Sequence, residues 1–190
     1  MLKLSVITAV FLFAMGFFPS RGIDFEDKSL QKELQKVSGT DKPEWKEIEV
    51  PESLLASNTV PGKFLKLSGN AVELNKYVYV GRVNSCRQGG CSNSTQSLNV
   101  ETSEYFDYLI VFDSATKVQL VKVYNYQATH GQEMTNKGWL KQFQGYNGSR
   151  PLTVGKSIDA ISGATVSVRE ITSDIQEKTQ LLKKLVEGRN

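Results

Sequence analysis

Residues 159–187 read DAISGATVSVREITSDIQEKTQLLKKLVE, a short stretch of small residues followed by an amphipathic helical pattern. After position 165 the apolar residues recur at spacings of three, four, seven and three, with a threonine in the gap, which is the period of a helix with one buried face. Gly188 stands where such a helix would end, and Ser167 and Glu170 have the spacing of a capping box. The pattern predicts a long C-terminal helix that packs through Val168, Ile171, Ile175, Thr179, Leu182 and Leu185.

The start of this helix is predicted at the small segment Ser162-Gly163-Ala164-Thr165. The first turn of a helix leaves backbone N–H groups without intrahelical partners, and the helix dipole adds partial positive charge there. Small residues let a phosphate approach that backbone, so the segment predicts a phosphate site. The alternative is that these residues only begin a helix. A Walker-type loop ending at Gly155-Lys156-Ser157 is excluded, because Arg150 stands where that loop needs glycine.

Together with Asp159, the small segment resembles the flavinylation signature of the FMN-binding domain family. That family includes subunits of the sodium-translocating NADH:quinone oxidoreductase and of the related ferredoxin-linked complex, which carry FMN esterified through its phosphate to the last threonine of the signature. The resemblance implies a separate flavin transferase that moves FMN from FAD, so the chain would be a substrate of the modification. In this chain it implies Thr165 as the acceptor, Ser162, Gly163 and Ala164 around the phosphate, and Asp159 in recognition by the transferase.

The residues before the signature have the pattern of strands. Phe64 to Leu67 and Val72 to Val83 are rich in Val, Tyr and Leu, while Tyr105 to Phe112 and Val118 to Tyr126 flank a short polar turn, as in a hairpin. The order of hairpin, His-containing loop, Trp/Phe segment, signature and helix also resembles the FMN-binding family across about residues 70 to 187. The sequence predicts an α+β fold, a twisted antiparallel sheet with the long C-terminal helix packed on it.

The loop after the predicted hairpin is the candidate site for the flavin ring. The family places a histidine and a glutamate in this loop, which implies His130 and Glu133 here. Family members often continue with Thr-Pro-Gly, whereas this chain continues with Met134-Thr135-Asn136. The alternative for His130 is a surface or hydrogen-bonded structural residue. Trp139 is expected in the core, with coverage of the flavin ring as the alternative, and most of the seven tyrosines are expected in strands or the core.

Residues 1–22 have the pattern of a secretory signal, with Lys3, an apolar run from Leu4 to Phe18, and small residues in Ser20-Arg21-Gly22. A membrane anchor that is retained is the alternative, although the run is shorter than the roughly 20 apolar residues of a span. Both interpretations predict an extracytoplasmic protein, in the periplasm or at the cell surface.

The rest of the chain divides into two parts. Residues 23–60 are predicted to form a charged linker with a short helix around Leu30, Leu34 and Val37. Residues 61–190 are predicted to form the FMN-binding domain.

Cys86 and Cys91 are the two cysteines of the chain, and a Gln-Gly-Gly turn lies between them. In an exported protein such a pair most simply closes a local disulfide. A disulfide that exchanges electrons with the flavin is the alternative. A haem site would need Cys-x-x-Cys-His, and a metal site would need more ligands than the single histidine adds, so no metal is predicted.

The charge of the chain gives no sign of an acidic partner, since the formal net charge of +3 includes Lys3 and Arg21 of the signal. No Lys/Arg stripe or aromatic stacking array is present, so nucleic acid is not an expected partner. The resemblance implies an electron-transfer flavoprotein more than a stand-alone enzyme, with a membrane electron-transfer complex or quinol-linked protein as redox partner. The alternatives are a non-redox binding module of the same fold and a flavin reductase of a small extracytoplasmic acceptor.

Overall fold

The computed structural model describes residues 22–51, 54, 62–68, 76–87 and 103–188. Within these residues five strands form one antiparallel sheet, in which each strand pairs with its neighbours in sequence. The predicted α+β fold is therefore confirmed. The elements are α1 (Lys28–Ser38), β1 (Glu44–Ile48), β2 (Gly62–Ser68), β3 (Lys76–Arg87), β4 (Ser103–Phe112), β5 (Val118–Tyr126), α2 (Lys137–Leu140) and α3 (Thr165–Glu187), with single 3₁₀ turns at Gln132–Thr135 and Lys141–Phe143.

The predicted hairpin is present as β4 and β5. Its turn is held by Asp113, whose Oδ1 accepts hydrogen bonds from the backbone N–H groups of Ala115, at 3.0 Å, and Lys117, at 2.8 Å. Thr116 adopts a positive φ of 61° in this turn. Because side chains alternate across a strand, β4 sends Phe106, Tyr108, Ile110 and Phe112 to one face of the sheet and Asp107, Leu109 and Val111 to the other.

The long helix α3 covers the first of these faces. The apolar face predicted from its period is buried against the sheet. Gly188 caps the helix at its C-terminal end, as predicted. This packing fixes the direction of α3 along the sheet, and thereby fixes where its N-terminus lies.

Helix α1 covers the second face. Leu30 and Leu34 are each 1% exposed and pack with Leu67, Val78 and other apolar residues of that face. The short helix predicted in the charged segment is thus present, and its apolar side packs on this face of the sheet. The outer side of α1 carries the charge that the sequence shows, because Lys28, Lys32 and Lys36 are exposed.

Several predictions concern residues outside the described part. Residues 1–21 of the predicted signal lie outside it, as does the start of the strand predicted from Val72. Cys91 also lies outside it, so the disulfide between Cys86 and Cys91 stays a prediction. In the part of the chain that is described, no helix is long and apolar enough to span a membrane.

Candidate functional site

The N-terminus of α3 has no side-chain cap. The residue at the cap position is Ala164, and no acidic residue lies in the first helical turn. The capping box predicted at Ser167 and Glu170 is therefore wrong, because the helix begins two residues earlier, at Thr165. Ser167 is the third residue of the helix, and its hydroxyl oxygen lies 2.6 Å from that of Ser85 at the end of β3.

The turn before α3 presents its backbone to solvent. Ser162, Gly163 and Thr165 are exposed, whereas Ala164 is only 3% exposed. Gly163 has a φ of +82°, a conformation that favours glycine, and a Cβ built on it would meet no atom within 4 Å. The open space, the first-turn N–H groups without a side-chain cap and the exposed Thr165 hydroxyl fit a phosphate at this position.

The loop that contains His130 packs directly on this turn. Gly131, with a φ of +87°, comes so close that a Cβ on it would lie 3.0 Å from the Cβ of Ala164. The side chains of His130 and Glu133 on either side of this contact are exposed. The structure thus brings the predicted loop and the predicted phosphate site together, and it leaves both polar side chains open to a ligand.

Tyr126, the last residue of β5, connects these two segments. Its hydroxyl donates a hydrogen bond to the carbonyl of His130 and lies beside the hydroxyl of Ser167. Burial raises the pKa of Tyr126, the neighbouring Ser167 hydroxyl lowers it, and the carboxylates of Glu104 and Glu133 raise it further. The net direction is upward, so the phenol stays protonated and remains a donor at neutral pH.

Hydrogen bonds of its backbone groups fix the position of Asp159. Its carbonyl accepts a hydrogen bond from the indole nitrogen of Trp139, at 2.9 Å, and its N–H donates to Oε1 of Gln142, at 2.8 Å. The carboxylate itself is exposed. Trp139 is half-buried and also packs edge to face on Phe143, at 5.4 Å between ring centroids. Its main contact in the site is therefore the segment that leads to the turn.

Sequence reasoning missed several polar residues behind the turn. Glu104 is 8% exposed at the start of β4, and its carboxylate accepts a hydrogen bond from the hydroxyl of Thr129. Ser85, Tyr126 and Ser167 lie beside it at the same end of the sheet. Strand alternation in the predicted hairpin could have placed Tyr126 on the α3 face, but the partner of Ser167 lies 82 positions away, and no local pattern indicates it.

Comparison with known proteins agrees with this geometry. Residues 104–179 match the family model described as an FMN-binding domain. The match runs from the start of β4 through the His130 loop and the turn into α3, so it includes both halves of the candidate site. No curated protein matches the chain. The match supports a flavin-binding protein with FMN as its cofactor, and it confirms the resemblance noted in the sequence.

Proposed function

Residues 104–179 match the family model of the FMN-binding domain, and we propose that the chain carries FMN covalently on Thr165 and transfers electrons outside the cytoplasm. The observation that carries the proposal is the position of Thr165. Its hydroxyl is exposed at the first residue of a helix whose N–H groups have no side-chain cap. A phosphate ester on that hydroxyl would lie where the helix dipole and the free N–H groups stabilise its negative charge.

The attachment is a transfer reaction carried out by a separate flavin transferase. The hydroxyl oxygen of Thr165 would form a bond to the flavin phosphate of FAD, the bond between the two phosphates would break, and AMP would leave. The proton of the hydroxyl would pass to a base of the transferase. The side chain of Thr165 is exposed, which would give a separate transferase access to its hydroxyl.

FMN, when bound, supplies the electron chemistry, and the protein supplies position and electrostatics. The N–H groups of the first turn of α3 would hold the phosphate. The exposed His130 and Glu133 and the half-buried Tyr126 lie on the adjoining loop and strand end, where they would contact the ring. Because both segments are packed on the sheet, the chain offers a preformed site and needs no large rearrangement.

The sequence supports the proposal of export, and its resemblance to the FMN-binding domain family supports the proposal of electron transfer. The signal pattern of residues 1–22 supports an extracytoplasmic location. A covalent link is useful there, because a free cofactor would diffuse away while a tethered one keeps a high effective concentration. The partners would be the transferase that loads FMN and a membrane electron-transfer complex or quinol-linked protein that exchanges electrons with it.

The attachment is tested by comparing wild type with Thr165→Val after co-expression with a flavin transferase. Valine keeps the shape of threonine and removes the hydroxyl, so the fold should persist while flavin fluorescence in a denaturing gel disappears. Thr153→Val is the matched control, since Thr153 is also exposed and lies before the turn. Fluorescence that persists in Thr165→Val at the wild-type level would exclude Thr165 as the acceptor.

A further inference from the structure

Tyr126 is fixed on the sheet by its ring. It pairs in register with Phe106 of β4, and the two rings stack at 5.8 Å between centroids with an angle of 18° between their planes. Phe106 is fully buried, so its position is set by the core. Stacking on Phe106 therefore fixes the ring of Tyr126, and it places the Tyr126 hydroxyl close to the N-terminus of α3.

The hydroxyl of Tyr126 lies beside that of Ser167, in the first turn of α3. Its one proton is donated to the carbonyl of His130, and this hydrogen bond ties the His130 loop to the end of β5. The oxygen of Ser167 lies 2.6 Å from that of Ser85. The three hydroxyl groups therefore gather at the point where β3, the end of β5 and the first turn of α3 meet. Ser167 is 2% exposed, so water does not replace these bonds freely.

The same hydroxyl also lies against the backbone contact between loop and turn. A Cβ on Gly131 would be 3.2 Å from the Tyr126 oxygen and 3.3 Å from the Cα of Ala164. Tyr126 thus touches both segments that the proposed function assigns to FMN, the His130 loop and the turn before Thr165. The loop and the turn approach each other closely at Gly131 and Ala164, and the Tyr126 hydroxyl lies beside this approach and bonds to the loop.

We propose that Tyr126 is a positioning residue of the flavin site, whose hydroxyl holds the His130 loop against the N-terminus of α3 so that the ring of the bound flavin is immobilised. The proposal rests on the proposed function for the identity of the ligand. The effect of Tyr126 on the loop does not depend on the proposed function, because the contacts concerned are made by the chain itself.

The test compares wild type, Tyr126→Phe and Tyr124→Phe. Phenylalanine keeps the stacking on Phe106 and removes only the hydroxyl. Tyr124 is the matched control, since it lies two residues away on the same strand and packs with the residues of the opposite, α1-covered face. In protein without flavin, hydrogen exchange of the segment 131–136, where the Met134 N–H bonds to the Gly131 carbonyl, should become roughly 3- to 10-fold faster in Tyr126→Phe, as expected for one lost hydrogen bond.

In protein that carries flavin, Tyr126→Phe should keep the wild-type intact mass but show lower flavin fluorescence anisotropy and weaker visible circular dichroism. Equal exchange and equal anisotropy in Tyr126→Phe and wild type would overturn the proposal. Absence of flavin from the wild type would instead contradict the proposed function, and the exchange comparison would still decide whether Tyr126 holds the loop. A change of the same size in Tyr124→Phe would also count against a specific role for Tyr126.

Discussion

At the scale of single residues, Thr165 combines two properties that a phosphate acceptor needs. Its hydroxyl is exposed, and the helix that begins with it has neither a side-chain cap nor an acidic residue in the first turn. Either a capping side chain or a carboxylate at this point would compete with a phosphate for the same N–H groups. The arrangement costs the helix the stability of a cap, which is about 1 kcal/mol in typical cases.

Asp159 can be changed without disturbing the turn, because its backbone groups, not its carboxylate, make the contacts with Trp139 and Gln142. A carboxylate beside the proposed phosphate site would be electrostatically unfavourable for the loaded protein, so we propose that Asp159 serves in recognition by the transferase. Asp159→Asn should slow loading roughly tenfold, the effect of one lost charge-assisted hydrogen bond, and leave the visible spectrum of loaded protein unchanged.

The measurement for Asp159 is the initial rate of flavin incorporation with purified transferase and FAD. Asp41→Asn is the matched control, because Asp41 is an exposed carboxylate in the turn between α1 and β1. A loading rate for Asp159→Asn equal to that of the control would contradict a role of Asp159 in recognition by the transferase.

At the scale of elements, α3 combines two features, since its N-terminus lies at the candidate site and its middle packs on the sheet. The period of its apolar residues predicted the buried face and the end at Gly188 correctly. Its start at the small segment was also predicted correctly, but the capping box was wrong, because Ser167 looks like a cap in the local sequence. The hydroxyl of Ser167 is engaged with Ser85 and Tyr126 instead, and these contacts depend on the packing of α3 against two strands.

The buried face of α3 also carries Asp174, which accepts a hydrogen bond from the hydroxyl of Tyr108 and lies 3.2 Å from the ammonium of Lys178. Burial raises the pKa of Asp174 above its ordinary value of 3.8, and Lys178 and Tyr108 offset this only in part. Below pH 3.8 the carboxyl is protonated in both states, so its stabilising contribution is fully present there. As the pH rises, the unfolded chain ionises first, and the contribution is lost as the pH passes through the raised folded-state pKa.

The free energy of unfolding of wild type should therefore fall, relative to that of Asp174→Asn, as the pH rises from about 3.8 toward neutrality. Asparagine can still accept the Tyr108 hydrogen bond and does not ionise, so it removes this pH dependence. Urea unfolding of both proteins at a series of pH values measures the difference, with Asp41→Asn as the exposed control. A difference that is constant or that grows in favour of wild type would contradict the assignment.

At the scale of the whole molecule, the sheet is covered on both faces, by α3 on one and α1 on the other. The α3 side and the hairpin could be predicted, because their patterns are local and strongly periodic. The packing of α1 on the sheet could not be predicted, because the charged composition of residues 23–51 is typical of a linker. Strand β1 reads EWKEI and lies at the edge of the sheet, where charged side chains are tolerated and protect against unwanted pairing. Its role depends on its pairing with β2, which its own sequence does not indicate.

If α1 is part of the fold, shortening a side chain on its buried face should lower the free energy of unfolding markedly. Leu34→Ala should lower the free energy of unfolding by about 2 to 5 kcal/mol, the usual range for a buried leucine, whereas Lys32→Ala on the exposed side of α1 should change it by less than about 0.5 kcal/mol. Chemical denaturation measures both. Flavin loading of folded Leu34→Ala should stay normal, because the site lies on the opposite face. A loss below about 1 kcal/mol would mean that α1 is a dispensable attachment.

The central claim, FMN on Thr165, is tested most directly by the mass of one tryptic peptide. Cleavage after Lys156 and Arg169 releases residues 157–169, SIDAISGATVSVR, which contain the turn and three serines besides Thr165. From protein co-expressed with a flavin transferase, this peptide should be heavier by FMN less one water, and its fragment ions should place the addition on Thr165. An unmodified peptide from flavin-containing protein, or an addition on Ser157, Ser162 or Ser167, would contradict the claim.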